Sequence, residues 1–177
     1  HFVLSLGFRN PDGEVTMPVA VAAMGAGYTV ITQCSHSSPA IEARAVEKHY
    51  LAVVGSEVEQ EEGAIDLAVA KRSSAEAGWR MVADPAGQPA VTRWRKVAAR
   101  NGRTLVAFQP LTGRTHQIRV HAREAFGSGI VGDRVYGIPG GAMLLHASRL
   151  VVPRAGKPAI DVTAPLPEHF GEWRDAG

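Results

Sequence analysis

The dipeptide Asn101-Gly102 separates two runs of strand-forming residues and predicts the tight turn of a β-hairpin. Residues 91–98 alternate weakly between polar and apolar side chains, and residues 103–109 form the second run. A further β-rich run occupies residues 49–54. Because strands of this kind arrive early and follow one another through short turns, the sequence predicts an α+β fold with a mixed, mostly antiparallel sheet.

One helix is predicted after the hairpin, and helices are expected to flank the sheet. Thr115 suits the N-cap of a helix over residues 115–126, and Gly127 is placed to end it. The apolar stripe of this helix is predicted to consist of Ile118, Ala122 and Ala125. A further strand is predicted in residues 64–70, and strand or helix-to-strand material is predicted in residues 131–136, 144–152 and 158–163.

The length of 177 residues and the apolar fraction of 45% favour one folded domain over residues 1–177. Residues 1–41 have no sustained period and form its unpatterned, divergent or altered N-terminal part. The single cysteine, Cys34, excludes an internal disulfide and fits a reducing, cytoplasmic compartment. No apolar run has the length of a membrane span and no signal peptide is recognisable, so no membrane partner is expected.

Charged residues are segregated along the chain. Residues 49–70 contain five acids and no Lys or Arg, whereas residues 85–123 contain eight bases and no acid. Such a basic block can track a phosphate backbone. It can equally consist of solvated strand edges and turns, so charge alone leaves the two interpretations open.

The densest group of polar residues is GRTHQIRVH at residues 113–121. A glycine turn that leads into a helix presents free backbone N–H groups, which suit a phosphate. Arg114 and Arg119 add planar guanidinium groups that bind phosphate or carboxylate at two points. His116 and Gln117 can donate to sugar or base edges. An ordinary capped helix with a basic surface would explain any one of these residues, but not the whole segment.

Two other interpretations of polar residues have less support. His116 and His121 are five residues apart on a helix, diverge, and have no third ligand nearby, so no metal site is predicted. Cys34 and His36 lie in unpatterned sequence without an orienting acid. A small hydrolase that uses Cys34 or Ser35 with a histidine is therefore only a rival interpretation.

Five segments resemble, in order, the motifs of RluA-like RNA pseudouridine synthases. They are VEKHYLA (46–52), GRTHQIRVH (113–121), GDRVYG (132–137), LLHA (144–147) and APLP (164–167). The resemblance covers residues 42–170 and implies the pseudouridine synthase fold. It also implies an isomerase that converts specific uridines in structured ribosomal or transfer RNA. Such an enzyme needs no cofactor and no metal, and we expect it to be monomeric and cytoplasmic.

The resemblance further implies roles for individual residues. Tyr50 would stack on the flipped uracil base and assist proton movement, since the base must leave its stack to be reached. Arg119 would pair with the catalytic aspartate and keep it ionised. Arg114, His116 and Gln117 would face RNA or brace the pocket. The predicted RNA-binding residues are Lys48, Arg114, His116, Gln117 and Arg123.

The nucleophilic aspartate itself is not recognisable. The family carries it in a His-Arg-Leu-Asp block about thirty residues before the strand tyrosine, and residues 13–65 contain no aspartate. Asp12 is the only upstream candidate, and its Asn-Pro-Asp-Gly context predicts a turn. Three explanations stay open: a degenerate paralogue, an upstream part that has been replaced or misread, and a nucleophile from elsewhere. The alternative function is a non-catalytic RNA-binding paralogue.

Overall fold

The computed structural model of the protein describes residues 2–9, 15–24, 27–32, 46–74, 78–154 and 156–176. The strands are β1 (Phe2–Arg9), β2 (Val15–Met24), β3 (Gly27–Thr32), β4 (Glu47–Val54), β5 (Glu62–Asp66), β6 (Val69–Ser74), β7 (Gly78–Ala83), β8 (Val91–Arg100), β9 (Arg103–Pro110), β10 (Leu145–Arg154) and β11 (Lys157–Thr163). The helices are α1 (Gln117–Phe126) and a 3-10 helix (Glu168–Ala176). Within these residues, no helix is both long enough and apolar enough to span a membrane.

The strands form three groups, and every pair between neighbouring strands is antiparallel. The largest sheet has six strands in the order β11-β10-β4-β9-β8-β5. Strands β6 and β7 form a separate two-stranded ribbon. Strands β1, β2 and β3 form a third sheet, in a part of the chain for which periodicity gave no prediction. The predicted α+β fold with a mostly antiparallel sheet is confirmed.

The predicted hairpin is also confirmed. β8 and β9 pair up to Arg100 and Arg103. Between them, Asn101 and Gly102 have φ of 52° and 69°, the left-handed values that a tight hairpin turn requires. Asparagine and glycine are the residues that adopt this conformation at least cost, which is why the dipeptide predicted the turn.

The six-stranded sheet is covered on both faces. On one face, Trp94 and Phe108 pack with Ile118 of α1. On the other face, Leu105 packs with Trp173 of the 3-10 helix. Because successive strand residues point to opposite faces, β9 contributes alternate side chains to the two cores. The start of α1 is thereby held against β8 and β9.

The helix differs from the prediction at both its start and its stripe. α1 begins at Gln117 and not at Thr115, and the N-cap is His116, which has a φ of 54° and makes no side-chain capping bond. Thr115 is exposed, because the side chain of Gln117 closes the turn from inside the helix. Ala125 is also exposed. The helix packs through Ile118 against the large sheet and through Val120 against the β6–β7 ribbon, so its buried face does not include Ala125.

Two predicted strands are also wrong. Residues 64–70 do not form one strand, because β5 ends at Asp66 and β6 starts at Val69 in the ribbon. The backbone of Val69 pairs with Gln88 and turns the chain away from the large sheet. Residues 131–136 form isolated bridges and a turn instead of a strand.

Candidate functional site

The turn that precedes α1 is fixed to β8 by the side chain of Gln117. The amide nitrogen donates to the Val91 carbonyl at 3.0 Å and to Thr92 Oγ1 at 2.9 Å. The amide oxygen accepts from the Thr112 hydroxyl at 2.8 Å and from the Arg114 N–H at 2.9 Å. Gln117 is buried and its hydrogen-bonding capacity is used within the protein. Of the two roles predicted for Gln117, this geometry favours bracing over direct RNA contact.

A second buried side chain extends this network. The imidazole of His121 is fully buried, with Nδ1 2.9 Å from Thr92 Oγ1 and Nε2 2.9 Å from the Leu67 carbonyl. A carbonyl oxygen only accepts, so Nε2 carries the proton and Nδ1 accepts from the Thr92 hydroxyl. Burial lowers the pKa of His121, which keeps the ring neutral. His121 is thus a structural residue that holds α1 in place.

Strand β4 reaches the same turn. The ammonium group of Lys48 lies 3.3 Å from the position that a Cβ at Gly113 would occupy. Tyr50 points to the same face of β4 as Lys48, because side chains two residues apart in a strand share a face. Tyr50 is partly buried against the core cluster that contains Phe108 and Ile118. Burial raises the pKa of Tyr50, so its phenol stays protonated at neutral pH.

Arg119 binds a different carboxylate from the one predicted. Its Nε and Nη2 atoms donate to Asp133 Oδ2 and Oδ1 at 2.7 and 2.6 Å. Asp133 Oδ1 also accepts the backbone N–H groups of Val135 and Tyr136 at 2.9 and 3.1 Å. Asp133 was recognisable in the sequence only as part of the segment GDRVYG. Its signal was available, since an aspartate followed by free N–H groups two and three residues later is typical of an Asx turn.

The environment of Asp133 makes it an anchor. Burial would raise the pKa of Asp133, but the hydrogen bonds from Arg119 and from the backbone N–H groups of Val135 and Tyr136 outweigh this effect and lower it. The hydrogen bond to Asp133 in turn raises the pKa of Arg119. Asp133 is only 1% exposed and already accepts four hydrogen bonds. The hydrogen-bonding capacity of this carboxylate is therefore used within the protein.

A chain of aromatic contacts leads from this ion pair to the surface. The Arg119 guanidinium lies 4.7 Å from the centre of the Tyr136 ring. The Tyr136 hydroxyl accepts the Met81 N–H at 2.9 Å and lies 2.9 Å from His116 Nδ1. The His116 ring stacks on Trp79, with centroids 5.5 Å apart and planes inclined by 13°. Neither Tyr136 nor Trp79 was predicted from the sequence as a site residue.

The groups around His116 set its protonation state. Desolvation lowers the pKa of His116, the nearby Arg119 charge lowers it further, and Asp133 opposes them. The ring is therefore neutral at pH 7. The Tyr136 hydroxyl accepts from Met81 and has its own proton to donate to His116 Nδ1, and in that arrangement the proton of His116 is on Nε2. The left-handed backbone of His116 is a strained conformation of the kind that occurs at functional sites.

The basic block of the sequence does not form one surface. Trp94 faces α1, so the alternating Arg93 and Arg95 point to the opposite face of the sheet. Lys96 forms an ion pair with Glu61. Of the remaining bases, Arg119 and Arg123 lie on α1 and Arg114 lies in the turn before it. Arg114 is exposed and donates through Nε to the Pro89 carbonyl at 3.0 Å.

Comparison with known proteins shows the family of this chain. Residues 27–124 match the profile of the family described as RNA pseudouridylate synthase. The chain belongs to this family. The RluA-like resemblance of the five motifs is thereby confirmed.

Individual family members show the extent of the similarity. The chain is 48% identical over 129 residues to an uncharacterized RNA pseudouridine synthase of Zymomonas mobilis. The aligned region covers 71% of this chain and 59% of the relative. It is 32% identical over 139 residues to the ribosomal large subunit pseudouridine synthase C of Rickettsia bellii. This aligned region covers 74% of this chain and 46% of the relative. The chain thus spans less than two thirds of the length of these curated relatives.

A solved structure supports the fold. The human RNA pseudouridylate synthase domain containing 1 superimposes with a TM-score of 0.62 over 93% of this chain and 83% of that chain, at 22% identity. This likeness establishes the pseudouridine synthase fold. Asp12, Cys34, Ser35 and His36 lie outside the described residues. The family resemblance also predicts that Tyr50 and Arg119 line one shared pocket, and this stays a prediction.

Proposed function

We propose that this chain is the uridine-isomerising domain of an RNA pseudouridine synthase, acting on structured ribosomal RNA without a metal or cofactor. The observation that carries the proposal is the meeting of two distant motifs, in which the ammonium group of Lys48 on β4 reaches the Gly113 turn before α1. Membership of the RNA pseudouridylate synthase family supports the reaction class. The name of the Rickettsia bellii relative supports ribosomal RNA. Transfer RNA is the competing substrate class, and we expect a monomeric, cytoplasmic enzyme.

The proposed RNA contacts lie around the start of α1. Lys48, Arg114 and Arg123 bind phosphates, since they are cationic and lie on the α1 side of the sheet. His116 presents the protonated Nε2 edge as a donor to the RNA. Gln117 keeps the turn in place and acts through the residues that it positions.

Tyr50 and Arg119 are the proposed catalytic residues. The protonated phenol of Tyr50 gives the flipped uracil a flat ring to stack on and a hydroxyl donor. Arg119 engages Asp133 through Nε and Nη2, which leaves the Nη1 N–H groups for a second carboxylate. We propose that the nucleophilic aspartate of an active family member occupies that side of Arg119.

RNA affinity as a function of salt tests the binding half of the proposal. Arg114→Ala and Arg123→Ala should each reduce the slope of log K against log salt by about one unit, because each removes one phosphate contact. Arg93→Ala, which changes an exposed arginine on the opposite face, is the matched control and should leave the slope unchanged. Binding to structured RNA that ignores salt, or no binding at low salt, would contradict the proposal.

Release of tritium from RNA that contains 5-tritiated uridine tests the chemical half. We expect little release from the chain as it stands, because neither Tyr50 nor Arg119 can replace a carboxylate that attacks or deprotonates the sugar. Installing a His-Arg-Leu-Asp segment about thirty residues before Tyr50 should produce release, and Arg119→Met should abolish it again.

Two results would contradict parts of this account. Strong release by the unaltered chain that survives Asp12→Asn would contradict our account of the nucleophile, although it would confirm the reaction class. RNA binding without release after the segment is installed would favour the non-catalytic paralogue.

A further inference from the structure

Trp79 is unusual among the tryptophans of this chain. Trp94 and Trp173 are 7% and 4% exposed and belong to the two cores, whereas 52% of Trp79 is exposed. Trp79 lies on β7 of the ribbon and shares a face with Met81, which is buried against Val120 of α1. The inner end of this ribbon face is therefore anchored in the core, and its outer end carries an open indole ring.

The exposed ring is held in place on both the ribbon and the helix. His116, at the N-cap of α1, stacks on it with an interplanar angle of 13°. His116 is itself fixed by the hydroxyl of Tyr136. The ammonium group of Lys71, on the neighbouring strand, lies 5.0 Å from the centre of the Trp79 ring. A large ring that is exposed yet oriented loses little conformational freedom when a flat ligand stacks on it.

The surroundings of Trp79 are cationic. Lys71 is exposed and pairs with Met81 across the ribbon, so it lies on the same face as Trp79, whereas the exposed Arg80 points to the opposite face. An open depression of about 250 Å³ starts at the next residue of β7 and is lined by Arg80 and Arg123 together with Glu124 and Tyr136, but not by Trp79. Lysine and arginine around an exposed aromatic ring suit a base that carries phosphate, because the ring stacks on the base and the cations neutralise the backbone. A hydrophobic protein partner would have to desolvate these charges without compensation.

We propose that Trp79 and His116 form a stacking site for an unpaired nucleobase of the RNA, separate from the uridine pocket proposed at Tyr50. This inference rests on the proposed function. The site binds one unpaired base and its phosphate next to the turn that holds Arg114, so it selects RNA that has single-stranded nucleotides near the target uridine. Stacking tolerates any base, so the site reads the presence of an unpaired nucleotide more than its identity.

The test compares two RNA probes and four proteins. The probes are a stem-loop with an unpaired loop and a blunt duplex of the same length. Trp79→Ala should weaken binding of the stem-loop about tenfold, the size of one stacked base, with an unchanged salt slope because no charge is lost. Trp79→Phe should keep most of the affinity. Val162→Ala, which shortens a side chain that is 51% exposed on β11, is the control and should bind like the wild type.

Intrinsic fluorescence provides a second readout. Because Trp94 and Trp173 are buried, the fluorescence that the stem-loop quenches should come from Trp79 and be lost in Trp79→Ala. Normal stem-loop binding by Trp79→Ala, or an equal loss for stem-loop and duplex, would overturn the inference. If the Arg114→Ala slope changes as predicted while Trp79→Ala binds normally, the proposed function stands and only this site fails. If no RNA binds at low salt, the proposed function fails.

Discussion

Two ion pairs in this protein have the same geometry and differ in burial. In Arg119–Asp133 and in Arg149–Asp161, arginine Nη2 lies 2.6 Å from a carboxylate oxygen and Nε forms a second bond. The side chains of Arg119 and Asp133 are 18% and 0% exposed, whereas both side chains of the second pair are 46% exposed. The same substitution in the two arginines therefore isolates the effect of burial.

Arg119→Met removes the cation and leaves a buried carboxylate whose remaining donors are the backbone N–H groups of Val135 and Tyr136. Removing one partner of a buried pair costs about 3–5 kcal/mol, and we expect about 3 because Arg119 retains some contact with water. Arg149→Met should leave the free energy of unfolding within experimental error, since water replaces the exposed guanidinium. Methionine keeps most of the apolar stem in both variants.

Chemical denaturation at pH 7, followed by circular dichroism, measures both free energies. The double variant Arg119→Met/Asp133→Asn should recover part of the loss, because the buried charge has gone. Equal destabilisation by Arg119→Met and Arg149→Met would refute the assignment of Asp133 as a buried anchor. The expected loss also means that the catalytic test of Arg119→Met requires a temperature at which that variant is folded.

Two further predictions concern the scaffold beneath the site. Gln117→Leu should destabilise the fold by about 1–3 kcal/mol, because buried polar groups lose their hydrogen-bond partner, and it should also weaken RNA binding. The control Gln60→Leu, at an exposed glutamine, should do neither. Chemical unfolding and RNA titration measure both effects, and a stable Gln117→Leu variant would contradict the bracing role. His121 has a lowered folded-state pKa, so its contribution to stability is complete above its ordinary unfolded value of about 6.5 and is lost as pH falls towards the folded value. His121→Asn should therefore lose less stability than the wild type between pH 7.5 and 5.5, and equal losses would contradict this reasoning.

Local sequence patterns predicted the parts of the fold that depend on local chemistry. Asn101-Gly102 predicted its hairpin because two consecutive residues must adopt left-handed backbone angles there. Gly127 ended α1 as predicted, with a φ of 72°. The predicted start of α1 was wrong, because the prediction looked for a capping side chain in the residue before the helix and chose Thr115. Here Gln117, inside the helix, closes the turn through a bond to Arg114 and to β8.

The candidate site shows the same division. The motif at residues 113–121 named the correct segment, but three of its polar side chains have partners that are distant in sequence. Gln117 bonds to Val91 and Thr92, His121 to Leu67, and Arg119 to Asp133. The periodicity and spacing of residues in the sequence do not show which distant residue a side chain will bind. Trp79 was overlooked because a lone tryptophan in a short strand normally belongs to a core.

The sequence by itself determined the antiparallel α+β architecture, the central hairpin, the helix and the family of this protein, since alternation, turn residues and motif order are encoded over short stretches. The tertiary structure decided which polar residues of those motifs are scaffold and which are open to a ligand. It buried Gln117, His121 and Asp133 and left Trp79 and Arg114 at the surface. The physical reason is that a polar side chain becomes structural when folding removes its water and supplies a partner, and that partner is chosen by the packing of the whole chain.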